Sequence, residues 1–91
     1  MKRSKIEIYA SILKAIEEDI AEYGEARMTR VQGKANLPYD RFKMHLSTLE
    51  KLGMVRIVEF SRYRSLTITQ KGKKFLKEYN KIMEFLRYFG L

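Results

Sequence analysis

Cysteine and tryptophan are absent from the 91-residue chain, which has one proline, one histidine, two asparagines and two glutamines. Without cysteine there are no disulfides and no thiolate ligands, and a lone histidine, His45, is no metal site. No metal or cofactor is therefore expected. No apolar run approaches the roughly 20 residues needed to cross a bilayer. The basic start, MKRSKIEIY, is interrupted by Glu7 and then by Glu17-Glu18-Asp19, which argues against a secretory signal and makes the cytoplasm the expected location. There is no glycine-rich phosphate loop and no carboxylate pair at a catalytic spacing, so an enzyme is not expected. Scarce Asn, Gln and Pro beside abundant Lys, Arg and Glu fit a heat-adapted protein.

What the chain has in excess is positive charge. The net charge is +8 and the pI about 9.8, with 45% hydrophobic residues, a balance that belongs to one globular domain. Residues 1–23 carry four positive and five negative charges, whereas residues 24–52 carry six and three, residues 53–69 three and one, and residues 70–91 six and two. The excess begins after the first helical segment and runs to the end. A pI above about 9 points to a polyanionic partner; charge kept for solubility is the alternative.

Apolar spacing divides the chain. Ile6, Tyr9, Leu13, Ile16, Ile20 and Tyr23 recur at steps of three and four, which predicts a helix over 5–23 with Ser4 and Glu7 as a capping box and Gly24 as its end. Residues 25–28 form a short extended link. Thr29 is expected to cap a short helix over 30–35, which contains Gly33 and needs tertiary support for it. A third helix is expected to take Pro38 as its first residue, bury Phe42, Leu46 and Leu49, and stop at Gly53. Its opposite face shows Asp40, Lys43, Met44, Ser47 and Lys51. MVRIVEF and SLTIT then read as a hairpin whose tip, Ser61-Arg62-Tyr63-Arg64, lacks the residues of a tight turn and predicts a longer loop. Thr69 caps a last helix over 70–88, with Phe75, Tyr79, Ile82, Leu86 and Phe89 on one stripe and Leu76 and Met83 on a second. The fold class is α+β: helix, short strand, helix, helix, two-stranded wing, C-terminal helix, the plan of a winged helix-turn-helix. Residues 1–69 form that unit and 70–91 its C-terminal helix, within one structural domain.

TRVQGKANLPYDRFKMHLSTLEKLGMV followed by SLTITQKGKKFLKEY resembles a family of small archaeal winged-helix DNA-binding proteins in which a helix after the wing pairs two subunits. The resemblance rests on Thr29-Arg30, the Ala35-Asn36-Leu37 turn, the leucine-spaced helix closed by Gly53, and Leu66, Thr67, Gly72, Phe75 and Leu76. Pro38 stands where the family has a serine, Gly33 where a larger residue is usual, and the last helix spans barely two heptads. The resemblance implies a homodimer through Phe75, Tyr79, Ile82, Met83, Leu86 and Phe89, and double-stranded DNA as partner.

On such a scaffold the third helix enters the major groove. Tyr39, Arg41, Lys43, Met44 and Ser47 are then the candidate readers, with Lys43 suited to guanine, Met44 to a thymine methyl, and Arg41 to a phosphate. Asp40 either accepts from cytosine or serves the helix start. Arg27, Thr29, Arg30 and Lys34 around the second helix are candidate phosphate contacts, and Arg62, Tyr63 and Arg64 candidate wing contacts with backbone or minor groove. The lysines of the last helix read as its wet side and His45 as structural. The function expected is a transcriptional regulator or nucleoid-associated chromatin component. The alternative is a winged-helix protein-interaction module that does not bind nucleic acid.

Overall fold

Ser4 accepts the Glu7 N–H at 3.2 Å and starts α1 (Lys5–Tyr23), which ends where Gly24 turns left-handed at φ +79°. The computed structural model describes residues 3–91; Met1 and Lys2, where the basic N-terminal stretch begins, lie outside them. β1 (Ala26–Arg27), α2 (Met28–Ala35) and α3 (Tyr39–Lys51) follow, then β2 (Val55–Glu59), β3 (Arg64–Ile68) and α4 (Gln70–Tyr88). The strands form one antiparallel sheet in the order β1-β3-β2. Ala26 pairs with Leu66 and Arg27 with Ser65, while β2 runs against β3 from Val55–Ile68 to Glu59–Arg64.

α1 is the central helix, touching α2, α3, β1, β3 and α4. That wide set of neighbours corrects the expected stripe. Ile8, Ile12, Ala15 and Asp19 are buried beside Leu13 and Ile16, whereas the two ends of the expected stripe, Ile6 and Tyr23, are each 56% exposed. A helix wrapped on several sides buries a broader arc than a single-partner stripe, and the arc turns toward its partners. Val31 and Ala35 of α2, Phe42, Leu46 and Leu49 of α3, Val55 and Leu66 of the sheet, and Leu76 of α4 complete the core. Eight residues are too few for a helix to persist in water, so α2 exists because this burial holds it.

Both helix starts around the turn differ from expectation by one or two residues. β1 pairs with β3, and that pairing holds Arg27 extended at ψ 143°, so Arg27 is the N-cap of α2 and Thr29 lies inside the first turn. Pro38, extended at ψ 148°, is the N-cap of α3 rather than its first residue, and accepts the Phe42 N–H at 2.9 Å. Asn36 makes the turn between them in the left-handed region at φ 56°, one of the few non-glycine residues suited to it. Gln32 closes the same turn by donating to Leu37 O at 3.0 Å. Arg3 fastens the far end of α2 to α1, donating to Ala35 O and to Ser11.

The hairpin tip is tighter than its composition suggests. Phe60 N–H donates to Tyr63 O at 2.9 Å, leaving only Ser61 and Arg62 between the bonded residues. Stacking of the Phe60 and Tyr63 rings, centroids 4.8 Å apart, supports the closure that the turn residues do not. Arg64 accordingly belongs to β3 and not to the tip; its Nε sits 3.1 Å from its cross-strand neighbour Glu59.

Thr69 caps α4 as expected, accepting from Gly72 N–H. Gly72 has a further reason to be glycine: a Cβ there would lie 2.3 Å from Met54 O and 2.8 Å from Ile68 Cγ1. The close approach brings α4 against the end of α3, where Lys71 donates to Leu52 O at 2.6 Å. Lys71 is therefore a C-terminal cap of α3, in addition to lying on a wet helix face. Phe75, Leu76 and Tyr79 pack on the common core, so residues 70–79 are continuous with the winged unit. Beyond them the helix runs out of neighbours: Ile82, Phe85, Tyr88 and Phe89 are all more than half exposed. The molecule measures 49 Å along one axis against 27 and 25 Å along the others.

Candidate nucleic-acid interface

α3 is amphipathic by sequence, and its buried row, Phe42, His45, Leu46 and Leu49, leaves Tyr39, Asp40, Arg41, Lys43, Met44, Ser47 and Lys51 exposed. Met44 is 57% exposed on the face of α3 turned away from its buried row. Tyr39 is exposed too, and its ring lies 5.4 Å from Lys43 Nζ. Asp40 stands in the first turn, where a carboxylate complements the helix dipole. His45 is more buried than a rim position implies. It packs edge-on to Tyr9 of α1 with centroids 5.7 Å apart. Burial, and then the nearby Lys5 and Arg41 charges, push its imidazole below the ordinary range.

The exposed face of α3 forms one wall of a groove. A cleft of about 450 Å³ lies where β1, the starts of α2 and α3, and the wing converge; Arg27, Thr29, Tyr39, Lys43, Arg62, Tyr63 and Arg64 line it with Met28. A second, of about 410 Å³, runs between α3 and the wing strands and includes Lys43, Ser47, Glu50, Ile57, Glu59 and Arg64. The two adjoin, sharing Met28, Lys43 and Arg64. The first contains no carboxylate. The second has Glu50 and Glu59, the latter engaged by Arg64. Among the described residues no group of three His, Asp or Glu side chains is placed to hold a metal.

Two of the expected phosphate contacts are committed elsewhere. Arg30 donates through Nε to both oxygens of the fully buried Asp19 at 3.0 Å and through a terminal nitrogen to Glu25 O at 3.1 Å, with its guanidinium 4.0 Å from the Tyr23 ring. It is a structural residue. Lys34 faces α1 and pairs with Glu22 at 2.9 Å; the hydrogen bond and charge of Lys34 hold the Glu22 carboxyl below its ordinary range, while the Lys34 amine is raised. Neither side chain lines the groove. Arg41 and Met44 are exposed on α3 but also stand outside the two clefts.

Sequence reasoning missed Asp19. It accepts the Arg27 N–H at 3.0 Å as well as Arg30, and so holds the junction of β1 and α2 in place. A lone acid inside an acidic run, Glu17-Glu18-Asp19, gives no local sign of burial. Its position three residues after Ile16, on the arc that also contains Ile8 and Ile12, was the available signal.

The chain matches the winged helix-turn-helix family over residues 2–87 and belongs to it. Among solved structures it is similar to Sso10a-2, a DNA-binding protein from Sulfolobus solfataricus, with 28% identity and a TM-score of 0.75 over 97% of this chain and 90% of that one. It is similar to the transcriptional regulator BldR, also from Sulfolobus solfataricus, at 27% identity and a TM-score of 0.72, over 87% of this chain and 55% of that one. AF1382 from Archaeoglobus fulgidus shares the fold at 19% identity, with a TM-score of 0.74 over 86% of each chain. No curated protein matches the chain in sequence. The resemblance to small archaeal winged-helix proteins read from the motifs is borne out. No helix among the described residues is long and apolar enough to cross a membrane.

Proposed function

We infer that this protein is a double-stranded DNA-binding regulator or chromatin component rather than an enzyme, with α3 in the major groove and the wing on the adjoining backbone or minor groove. The observation that carries the reading is the pair of adjoining clefts between α3, β1 and the wing, the first of which has Arg27, Lys43, Arg62 and Arg64 and no carboxylate. The likeness to Sso10a-2, a DNA-binding protein, supports it. On this reading Lys43 and Ser47 meet base edges, Met44 meets a thymine methyl, and Arg27, Thr29, Arg41, Arg62 and Arg64 meet phosphates. Nothing observed favours an interaction module without nucleic acid.

The exposed apolar end of α4 supports a homodimer. Ile82, Met83, Leu86 and Phe89, joined by Phe85, would pair with a second copy, while Phe75 and Tyr79 contribute mainly to the protein's own core. Two groove surfaces on one dimer would favour association with the nucleoid.

A salt titration of binding to labelled random duplex, from about 50 to 300 mM salt, tests the reading. With Arg30 and Lys34 engaged internally, about four or five phosphates per subunit are neutralised, and a log–log slope of about −4 is expected for one subunit's contacts. No binding at the low-salt end would overturn it.

A further inference from the structure

Tyr63 stands beside Arg62 and Arg64, where an aromatic side chain invites assignment as a direct nucleic-acid contact. Its ring is already taken. Phe60 stacks on it at 4.8 Å with the planes 22° apart, and the guanidinium carbon of Arg27 lies 3.9 Å from the ring centroid. Two groups that close to one centroid do not fit on a single face, so Arg27 and Phe60 sandwich the ring. Register explains how Arg27 gets there. Arg27 is opposite Ser65 in the β1–β3 ladder, which makes Tyr63, two residues back in the chain and just before β3, its diagonal neighbour, within reach of a long side chain.

Arg27 is restrained from its other end as well. Its backbone N–H donates to Asp19 at 3.0 Å, and Asp19 is itself fully buried in α1. Nε is buried without a hydrogen-bond partner, 3.7 Å from Glu25 Oε2. The two terminal nitrogens donate to nothing among the described residues, and the side chain is 43% exposed in the cleft whose other cations are Lys43, Arg62 and Arg64. With Glu25 beside Nε, the guanidinium still turns its two terminal nitrogens into a cleft lined by cations and by no carboxylate, and such an edge fits an anion with paired oxygens, which a phosphodiester supplies.

We propose that Tyr63 is a positioning residue of the interface: its ring face fixes the Arg27 guanidinium so that the free terminal nitrogens bind one backbone phosphate where the wing meets the body of the domain. Asp19 anchors the same arginine through its backbone. The inference rests on the DNA-binding reading above. The ring is what matters, and the phenolic hydroxyl is not needed. Prior ordering matters because a free surface arginine loses rotamer freedom when it binds, whereas a stacked one has already lost it.

The test is the salt titration with random duplex, run on the wild type, Arg27→Ala, Tyr63→Ala, Tyr63→Phe and the Arg27→Ala/Tyr63→Ala double variant. Arg27→Ala is expected to weaken binding about fivefold and make the log–log slope shallower by about 0.9, the signature of one lost phosphate contact. Tyr63→Ala is expected to weaken it about threefold, the scale of a single cation–π contact. The double variant should bind no worse than Arg27→Ala alone, and Tyr63→Phe should restore what Tyr63→Ala loses. Tyr63→Phe binding as weakly as Tyr63→Ala would show the hydroxyl touching DNA, and multiplicative losses in the double variant would show two independent contacts. Either result overturns the inference and leaves the DNA reading standing. A wild type that binds no duplex overturns both.

Discussion

Asp19→Ala should destabilise this domain more than any surface substitution, and the structure sets the scale. The carboxylate is fully buried and serves two donors, the Arg27 N–H and Arg30 Nε, each at 3.0 Å. Removing one partner of a buried pair costs about 3 to 5 kcal/mol, because the other charge is left without an acceptor. Arg30 is 31% exposed and keeps Glu25 O and the face of Tyr23, which places the cost at the lower end, about 3 kcal/mol. For 91 residues the unfolding entropy is roughly 0.19 kcal/mol/K, so the melting temperature should fall by about 16 °C. Removing the stranded cation as well, in Asp19→Ala/Arg30→Leu, should recover about half of that loss. Calorimetry or circular dichroism melts at one fixed protein concentration would measure both, since the melting point of a self-associating chain moves with concentration. A loss below about 1 kcal/mol for Asp19→Ala, or a double variant that loses the sum of the two single changes, would refute the network as drawn.

The glycines of α2 and α4 should respond with opposite signs. Gly72→Ala places a Cβ 2.3 Å from Met54 O, a backbone atom that also accepts the Thr69 N–H, and should cost about 2 to 3 kcal/mol in urea denaturation. Gly33→Ala meets nothing within 4 Å at an exposed position of α2 and should stabilise by about 1 kcal/mol. His45 should make stability depend on pH. Its folded pKa lies below the ordinary 6.5, so the folded state favours the neutral ring. Stability is then complete above about 6.5 and falls as pH drops below that value through the folded pKa; urea midpoints between about pH 7.5 and 5 should decline for the wild type and flatten over this range for His45→Leu. Ile82→Glu with Phe85→Glu should convert a dimer to a monomer in sedimentation equilibrium with helical content kept, and an unchanged mass would mean that another surface pairs the subunits.

Much of this architecture is legible from local signals. The caps at Ser4 and Thr69 and Gly24 with its left-handed conformation act within one turn of helix, the Phe42–Leu46–Leu49 row within about two, and the structure agrees with each. The exposed face of α3 follows from that row by geometry alone. The misreadings cluster where a distant partner decides. Thr29 has the chemistry of a cap, but β1 pairing with Leu66 and Ser65 carries the extended backbone to Arg27 and starts the helix earlier. Ser61-Arg62-Tyr63-Arg64 lacks turn residues, yet the Phe60–Tyr63 stack closes a tight tip.

The candidate interface divides along the same line. That its residues are basic, and that they fall on α2, α3 and the wing, is a property of the sequence, because charge and helical periodicity are written residue by residue. Which of those cations are free is a property of the tertiary structure. Arg30 and Arg27 have the same side chain, three residues apart. One points inward to Asp19, eleven residues earlier in the chain, and the other lies across Tyr63, thirty-six residues later, with its terminal nitrogens open to the groove. Nothing local distinguishes them. Only the packing of α1 against α2 and the register of β1 on β3 bring a buried carboxylate to one and an aromatic face to the other.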